Sequence, residues 1–151
     1  MKNILVTGCS RGIGFEIVKG FAKDPSISVL AISRDAKGLN RLMEECRVIN
    51  TNFNLHTLSI DLANDKSIES ISEYVKLNFN SSLDGVIHNA GYLVKKAFTD
   101  ITSKELEDSF KVNCFSPFLL LLLFRLLLFF PFFFFTIPIC TFAFFKSAFD
   151  L

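Results

Sequence analysis

The 151-residue sequence has no Trp, only two Tyr, two His and two Met, and four Pro. Net charge is almost absent as well: 16 Lys and Arg against 15 Asp and Glu give +1. That balance excludes a basic nucleic-acid module and a polybasic membrane binder, both of which need a field of one sign. The four cysteines show no C-x-x-C spacing, so they read as reduced thiols of a cytoplasmic protein. His56 and His88 have no partner at metal-ligand spacing, so no metal site is expected and each reads as structural. Apolar residues at 50% and charged residues at 21% exclude disorder along the whole length. Only Ile4 to Thr7 precede Gly8, too short an apolar run for a secretory leader.

What is present falls into two unlike segments. Residues 1–116 have the mixed composition of an ordinary soluble domain. Residues 117–151 form a hydrophobic, low-complexity tail, which holds most of the 19 Phe. Arg125, Lys146 and Asp150 are its only charges.

In the first segment, Asn3–Thr7 is a short apolar run ending at Gly8, a strand buried on both faces. From Gly12 the apolar period changes, and Ile13, Ile17, Val18 and Phe21 share one helical face. Val29–Ser33, Leu55–Ile60 and Gly85–His88 read as three more buried strands. Between them lie helices, one from Ala36 to Cys46 and one capped by Asn64 or Asp65 with Ile68, Ile71, Val75 and Phe79 inward. Thr102 and Glu105 have the spacing of a capping box for the next helix. The order βαβαβαβα implies an α/β fold, a doubly wound Rossmann-type parallel sheet, here with its first four strands in the order 3-2-1-4.

Thr7-Gly8-Cys9-Ser10-Arg11-Gly12-Ile13-Gly14 follows the first strand and opens the first helix. Glycines at such a bend allow positive φ, let a ligand approach the backbone, and let helix and strand come close. The helix N-terminus then offers unpaired N–H groups to a diphosphate. With Thr in front, the G-x-x-x-G-x-G spacing resembles the short-chain dehydrogenase/reductase family. Asp61-Leu62 resembles that family's acidic residue at the adenine ring. Asn89-Ala90-Gly91 resembles its N-A-G motif, and Asn113 the Asn of its catalytic tetrad. The resemblance covers about residues 1–116, as a dinucleotide-binding domain. It implies cofactor contacts by Gly8, Ser10, Arg11, Gly12, Ile13, Gly14, Arg34, Asp61, Leu62, Asn89, Ala90 and Gly91. It also implies oxidoreductase chemistry interconverting a small-molecule carbonyl and alcohol, and homo-oligomers in relatives.

Members of that family preferring NAD(H) place an Asp at the end of the second strand. Here Ser33 and Arg34 stand there, and Arg11 lies in the glycine turn. Two guanidinium groups converging on a 2′-phosphate favour NADP(H) over NAD(H), by ~1.5–3 kcal/mol for one charge-assisted bond. Asp35 would take the NAD-selecting place if the register shifted by two.

The resemblance also implies a Tyr and a Lys four residues apart, with an upstream Ser, after Asn113. No Tyr follows Asn113. The pair Tyr92 and Lys96 has the spacing but precedes Asn113, so it reads as a chance match. Asn113 is thus the only tetrad member placed, and the chain is expected to be inactive. A fifth strand beside the fourth is also missing, which leaves an open edge and puts oligomer formation in doubt here.

The tail carries three readings. The favoured one is loss of reading frame after about Pro117, since Phe and Leu have T-rich codons. A second is a membrane anchor: Leu126–Phe145 has ~20 uncharged residues, the length of a span, although Pro131 and Pro138 break helical bonding. A third is a short protein that binds dinucleotide without catalysis.

Overall fold

The computed structural model describes residues 1–127. Four parallel strands, β1 (Lys2–Thr7), β2 (Ile27–Ser33), β3 (Asn54–Ser59) and β4 (Gly85–Ile87), form one sheet in the order β3-β2-β1-β4. This is the expected Rossmann-like order. Register follows the apolar runs: Ile4 pairs with Val29, Leu5 with Leu30 and Val6 with Ala31. Among the described residues β4 has a strand only on its β1 side.

Because side chains alternate across a strand, one sheet feeds two cores. Leu5, Leu30 and Ile32 point to the face covered by α3 (Ser67–Asn78) and α5 (Ser116–Leu127), where Ile71, Val75 and Leu120 meet them. Val6, Val29 and Ala31 point to the opposite face, covered by α1 (Gly12–Phe21) and α2 (Ala36–Ile49) through Phe15, Val18, Leu39 and Leu42. Most of these side chains are fully buried, each such Leu or Val adding roughly 1.5–3 kcal/mol of hydrophobic stabilisation.

Several local expectations are corrected. Ile13 does not face the core: it is 57% exposed, and α1 buries Gly14, Phe15 and Val18 instead. Neither Asn64 nor Asp65 caps α3. That helix starts at Ser67 without a side-chain cap, and the Asn64 Oδ1 instead accepts the Lys66 N–H at 2.9 Å. The second helix runs to Ile49, past Cys46.

The Thr102–Glu105 capping box forms in full. Thr102 Oγ1 accepts the Glu105 N–H at 3.2 Å, and Glu105 Oε2 accepts the Thr102 N–H at 3.0 Å. It opens α4 (Ser103–Phe110), which widens into a π-helical turn over Lys111–Phe115 before continuing as α5. No helix among the described residues is long and apolar enough to cross a membrane. The proposed span Leu126–Phe145 lies, beyond Leu127, outside the described residues, as do Pro131, Pro138 and Lys146.

Candidate functional site

The C-terminal ends of the four strands converge on a cleft of about 680 Å³. Its floor is the bend between β1 and α1. Gly8 (φ +74°) and Gly12 (φ +63°) adopt left-handed backbone there, the region in which a Cβ is penalised. Gly14 serves a different need. A Cβ on it would lie 2.4 Å from Asn89 Nδ2 and 2.5 Å from the Gly8 carbonyl oxygen. The turn is therefore closed by contact between glycines and the segment after β4.

That contact is hydrogen-bonded throughout. Asn89 Nδ2 donates to the carbonyls of Thr7 (3.1 Å) and Gly8 (3.0 Å). The Thr7 hydroxyl accepts the N–H groups of Asn89 (3.1 Å) and Ala90 (3.0 Å). Four bonds thus fix β1 to β4 where both end. The N-cap of α1 is Arg11, which makes no side-chain cap bond, and the first turn holds no acidic residue. The leading N–H groups of α1 are left to a ligand or to water.

Gly8, Ser10, Arg11, Gly12 and Ile13 line the cleft from below, Arg34, Asp61 and Leu62 from the β2 and β3 ends, and Asn89, Ala90 and Gly91 from the β4 end. The exposure of Ile13 is explained by this position. Gly14 sits behind the lining, and Asn113 lies outside it. Asn113 belongs to the π-helical turn and bonds to the backbone of Tyr92 from both amide atoms: Nδ2 donates to the carbonyl at 2.8 Å, and Oδ1 accepts the N–H at 2.9 Å. Its neighbour Val112 does reach the cleft.

Two supporting residues, Gly38 and Arg41, escaped the sequence reading, and two that it weighed for other roles, Tyr92 and Asp35, are placed differently by the structure. Tyr92 lines the cleft, its ring 5.9 Å from the Arg34 guanidinium carbon. Gly38 sits inside α2 where a Cβ would be 2.5 Å from Ser10 Cβ, so α2 rests directly on the glycine turn. A lone Gly within a helical pattern was the available signal. Arg41 reaches from α2 to the Ser10 carbonyl (3.2 Å) and stacks over Phe15 at 4.9 Å. Asp35 is the N-cap of α2, its Oδ1 accepting the Lys37 N–H at 3.0 Å.

Charge near the site is unevenly committed. Arg34 lies 4.0 Å from Asp61, whereas Arg11 has no ion pair among the described residues. Lys96 is paired with Glu105. That ammonium, with the Thr102 bonds, holds the Glu105 carboxyl down to about 2. At the end of β4 the His88 ring is buried, with Nε2 lacking a partner among the described residues. Burial pushes its pKa down to about 4, so the imidazole is neutral. In the glycine turn the buried Cys9 thiol donates to the Val6 carbonyl at 3.0 Å, and burial pushes its pKa up to about 12.

Comparison with known proteins converges on one group. The sequence model of the short chain dehydrogenase family matches residues 2–127. The chain is 30% identical over 112 residues to oxidoreductase calM of Penicillium decumbens, covering 73% of this chain and 35% of that protein. It is 37% identical over 91 residues to human 17-beta-hydroxysteroid dehydrogenase type 1, covering 58% of this chain and 27% of that protein. Among solved structures, an alcohol dehydrogenase from Thermococcus sibiricus complexed with 5-hydroxy-NADP superposes with a TM-score of 0.72 at 26% identity, covering 83% and 52% of the two chains. A short-chain dehydrogenase from Sphingobium yanoikuyae in complex with NADPH gives 0.72 at 22% identity, covering 82% and 47%. The chain spans about a third of the length of the curated relatives it matches.

Proposed function

The chain belongs to the short chain dehydrogenase family of oxidoreductases, and on that premise we propose that residues 1–116 bind a nicotinamide dinucleotide, NADP(H) ahead of NAD(H). One observation carries this reading: the bend of Gly8, Gly12 and Gly14, held against Asn89, opens on the uncapped N-terminus of α1 inside a cleft of ligand size. The residues present fit the group. The α1 N–H groups with Ser10, Arg11, Gly12 and Ile13 hold the diphosphate. Asp61 and Leu62 border the adenine, and Asn89, Ala90 and Gly91 line the remaining wall. In relatives that carry the Tyr and Lys, a nicotinamide held here would supply hydride chemistry toward a small carbonyl compound or alcohol. A cytoplasmic location, where this cofactor pool is held, completes the reading.

The preference for NADP(H) is supported by three features. Arg11 and Arg34 flank the cleft. The Asp35 carboxylate, the rival for an NAD-selecting role, is engaged in capping α2. The Thermococcus relative carries an NADP derivative. Fluorescence titration with NADPH and NADH tests the preference: tighter NADPH binding is expected, and equal affinities would refute it.

For this chain we propose binding without turnover. Lys96 is drawn to Glu105, away from the role of lowering a phenol's pKa, and residues 114–151 contain no Tyr. Asn113 spends both amide atoms on Tyr92, so it acts as a positioning residue for the cleft wall. NADPH oxidation with a panel of ketones should stay at the background rate. Measurable turnover would sink this part of the reading and leave the binding part standing.

A further inference from the structure

The Arg34 guanidinium is placed between two groups of different chemistry. Its Nη1 lies 4.0 Å from Asp61 Oδ2, and its central carbon lies 5.9 Å from the centre of the Tyr92 ring. Its backbone is anchored, since the carbonyl accepts the Ser59 hydroxyl at 3.3 Å and the neighbouring Ser33 carbonyl accepts the Ile60 N–H at 3.0 Å. Tyr92 is anchored too, by the two Asn113 bonds. Only the guanidinium is therefore free to choose a partner, and both charged side chains are exposed enough (60% and 47%) to exchange partners with solvent or a ligand.

The two contacts differ in what they do to an incoming anion. A guanidinium can keep its flat face on an aromatic ring while its edge N–H groups bond a phosphate. It cannot give the same edge to a carboxylate and a phosphate at once. We propose that Asp61 sets the cofactor ratio of this site by competing for Arg34: the carboxylate holds the guanidinium away from a 2′-phosphate and so narrows the preference for NADP(H) over NAD(H). The inference rests on the dinucleotide reading above and adds a specificity-determining residue to it. Asp61 acts here through Arg34, and the part it takes at the adenine is common to both cofactors, so it cancels in their ratio.

The test is a double-mutant cycle on the 151-residue chain, read as the ratio of NADPH to NADH affinity by fluorescence titration. Asp61→Asn keeps the shape and removes the charge. It should raise the ratio about two- to fivefold, the scale of an exposed ion pair. In an Arg34→Gln background the same Asp61→Asn change should leave the ratio unmoved. A ratio that does not rise in Asp61→Asn overturns the proposal. A rise that persists in Arg34→Gln also overturns it, because the carboxylate would then be repelling the phosphate directly. Both side chains are at the surface, and unchanged thermal unfolding of each variant checks that the fold is intact. If the parent chain binds neither dinucleotide, the proposed function falls and this inference with it. If it binds NADPH over NADH with a ratio indifferent to Asp61, only this inference falls.

Discussion

Replacing Gly14 with Ala separates the steric demand of the turn from its conformational demand. Gly14 is an ordinary helical residue without positive φ, so Ala costs nothing in backbone conformation and gains about 1 kcal/mol in helix propensity. The new methyl, however, would sit 2.4 Å from Asn89 Nδ2 and 2.5 Å from the Gly8 carbonyl oxygen. Both are about an ångström inside ordinary contact; the Gly8 carbonyl is backbone, and the Asn89 amide is held by its bonds to Thr7 and Gly8. Asn89 must surrender its bonds to Thr7 and Gly8, at about 1 kcal/mol each, or the turn must move as in an overpacked core, at about 1–3 kcal/mol. Set against the gain in helix propensity, the net expectation is a loss of up to about 2 kcal/mol, an appreciable share of a typical total of ~5–15 kcal/mol. Two neighbours calibrate the result. Gly20→Ala meets nothing within 4 Å and should stabilise the protein by roughly 0.5–1 kcal/mol. Gly12→Ala also meets nothing but carries φ +63°, so it should cost ~1–2 kcal/mol through backbone alone. Urea unfolding followed by far-UV circular dichroism measures all three. If Gly14→Ala is as stable as Gly20→Ala, the close approach of β1, α1 and Asn89 is not a feature of the molecule.

Three further outcomes follow from the site. His88 has its pKa lowered to about 4 by burial; the unfolded chain therefore takes up a proton near pH 6.5 that the folded chain refuses until about pH 4. Stability should fall by up to about 3 kcal/mol as pH drops through that window, and His88→Gln should remove that slope; parallel profiles for the two proteins would refute the assignment. Asn113→Ala removes both bonds to the Tyr92 backbone and should cost about 1–3 kcal/mol, with faster hydrogen exchange at the Tyr92 amide as the local check; unchanged exchange would show that the clamp does not hold that segment. Among the described residues Cys114 is exposed, while Cys9 and Cys46 are buried with thiol pKa values pushed up to about 12 and about 11, so iodoacetamide at neutral pH should label Cys114 and spare Cys9 and Cys46. Mass-spectrometric mapping that finds Cys9 modified in the native protein would contradict the closed turn.

The strands and their order were legible because each is a short apolar run that needs cover on both faces, and right-handed crossovers then leave few topologies. The glycine turn was legible because positive φ at Gly8 and Gly12 and close approach at Gly14 all favour a residue without Cβ. What escaped was set by contacts between elements distant in sequence. Ile13 fits the apolar face of α1 by period, yet it lies at the helix start where the cleft, not the core, is its neighbour. Asn64 has the right chemistry for a cap but spends it on a turn two residues on. The π-helical turn at Lys111–Phe115 inserts extra residue spacing into a helix, and a 3.6-residue period cannot register that. Arg34 could be placed beside the cleft from its position in the chain, but its place between Asp61 and Tyr92 depends on the ends of three strands meeting.

Gly38 shows why such contacts matter for function as well as for fold. A glycine inside α2 costs ~1 kcal/mol of helix stability relative to Ala, and nothing in that helix alone repays it. The return lies outside the helix: without a Cβ, α2 approaches until Ser10 touches its backbone, and Arg41 then reaches the Ser10 carbonyl. The glycine turn is thus gripped from two sides, by Asn89 after β4 and by Gly38 and Arg41 of α2. A loop with so many left-handed and closely packed residues would sample many shapes if free, and binding a diphosphate would then carry an ordering cost. Held from both sides, it presents its N–H groups in one arrangement before any ligand arrives. On the proposed dinucleotide reading, the requirement to bind would account for a helix-destabilising residue 24 positions beyond Gly14, in an element whose own sequence shows only an amphipathic face.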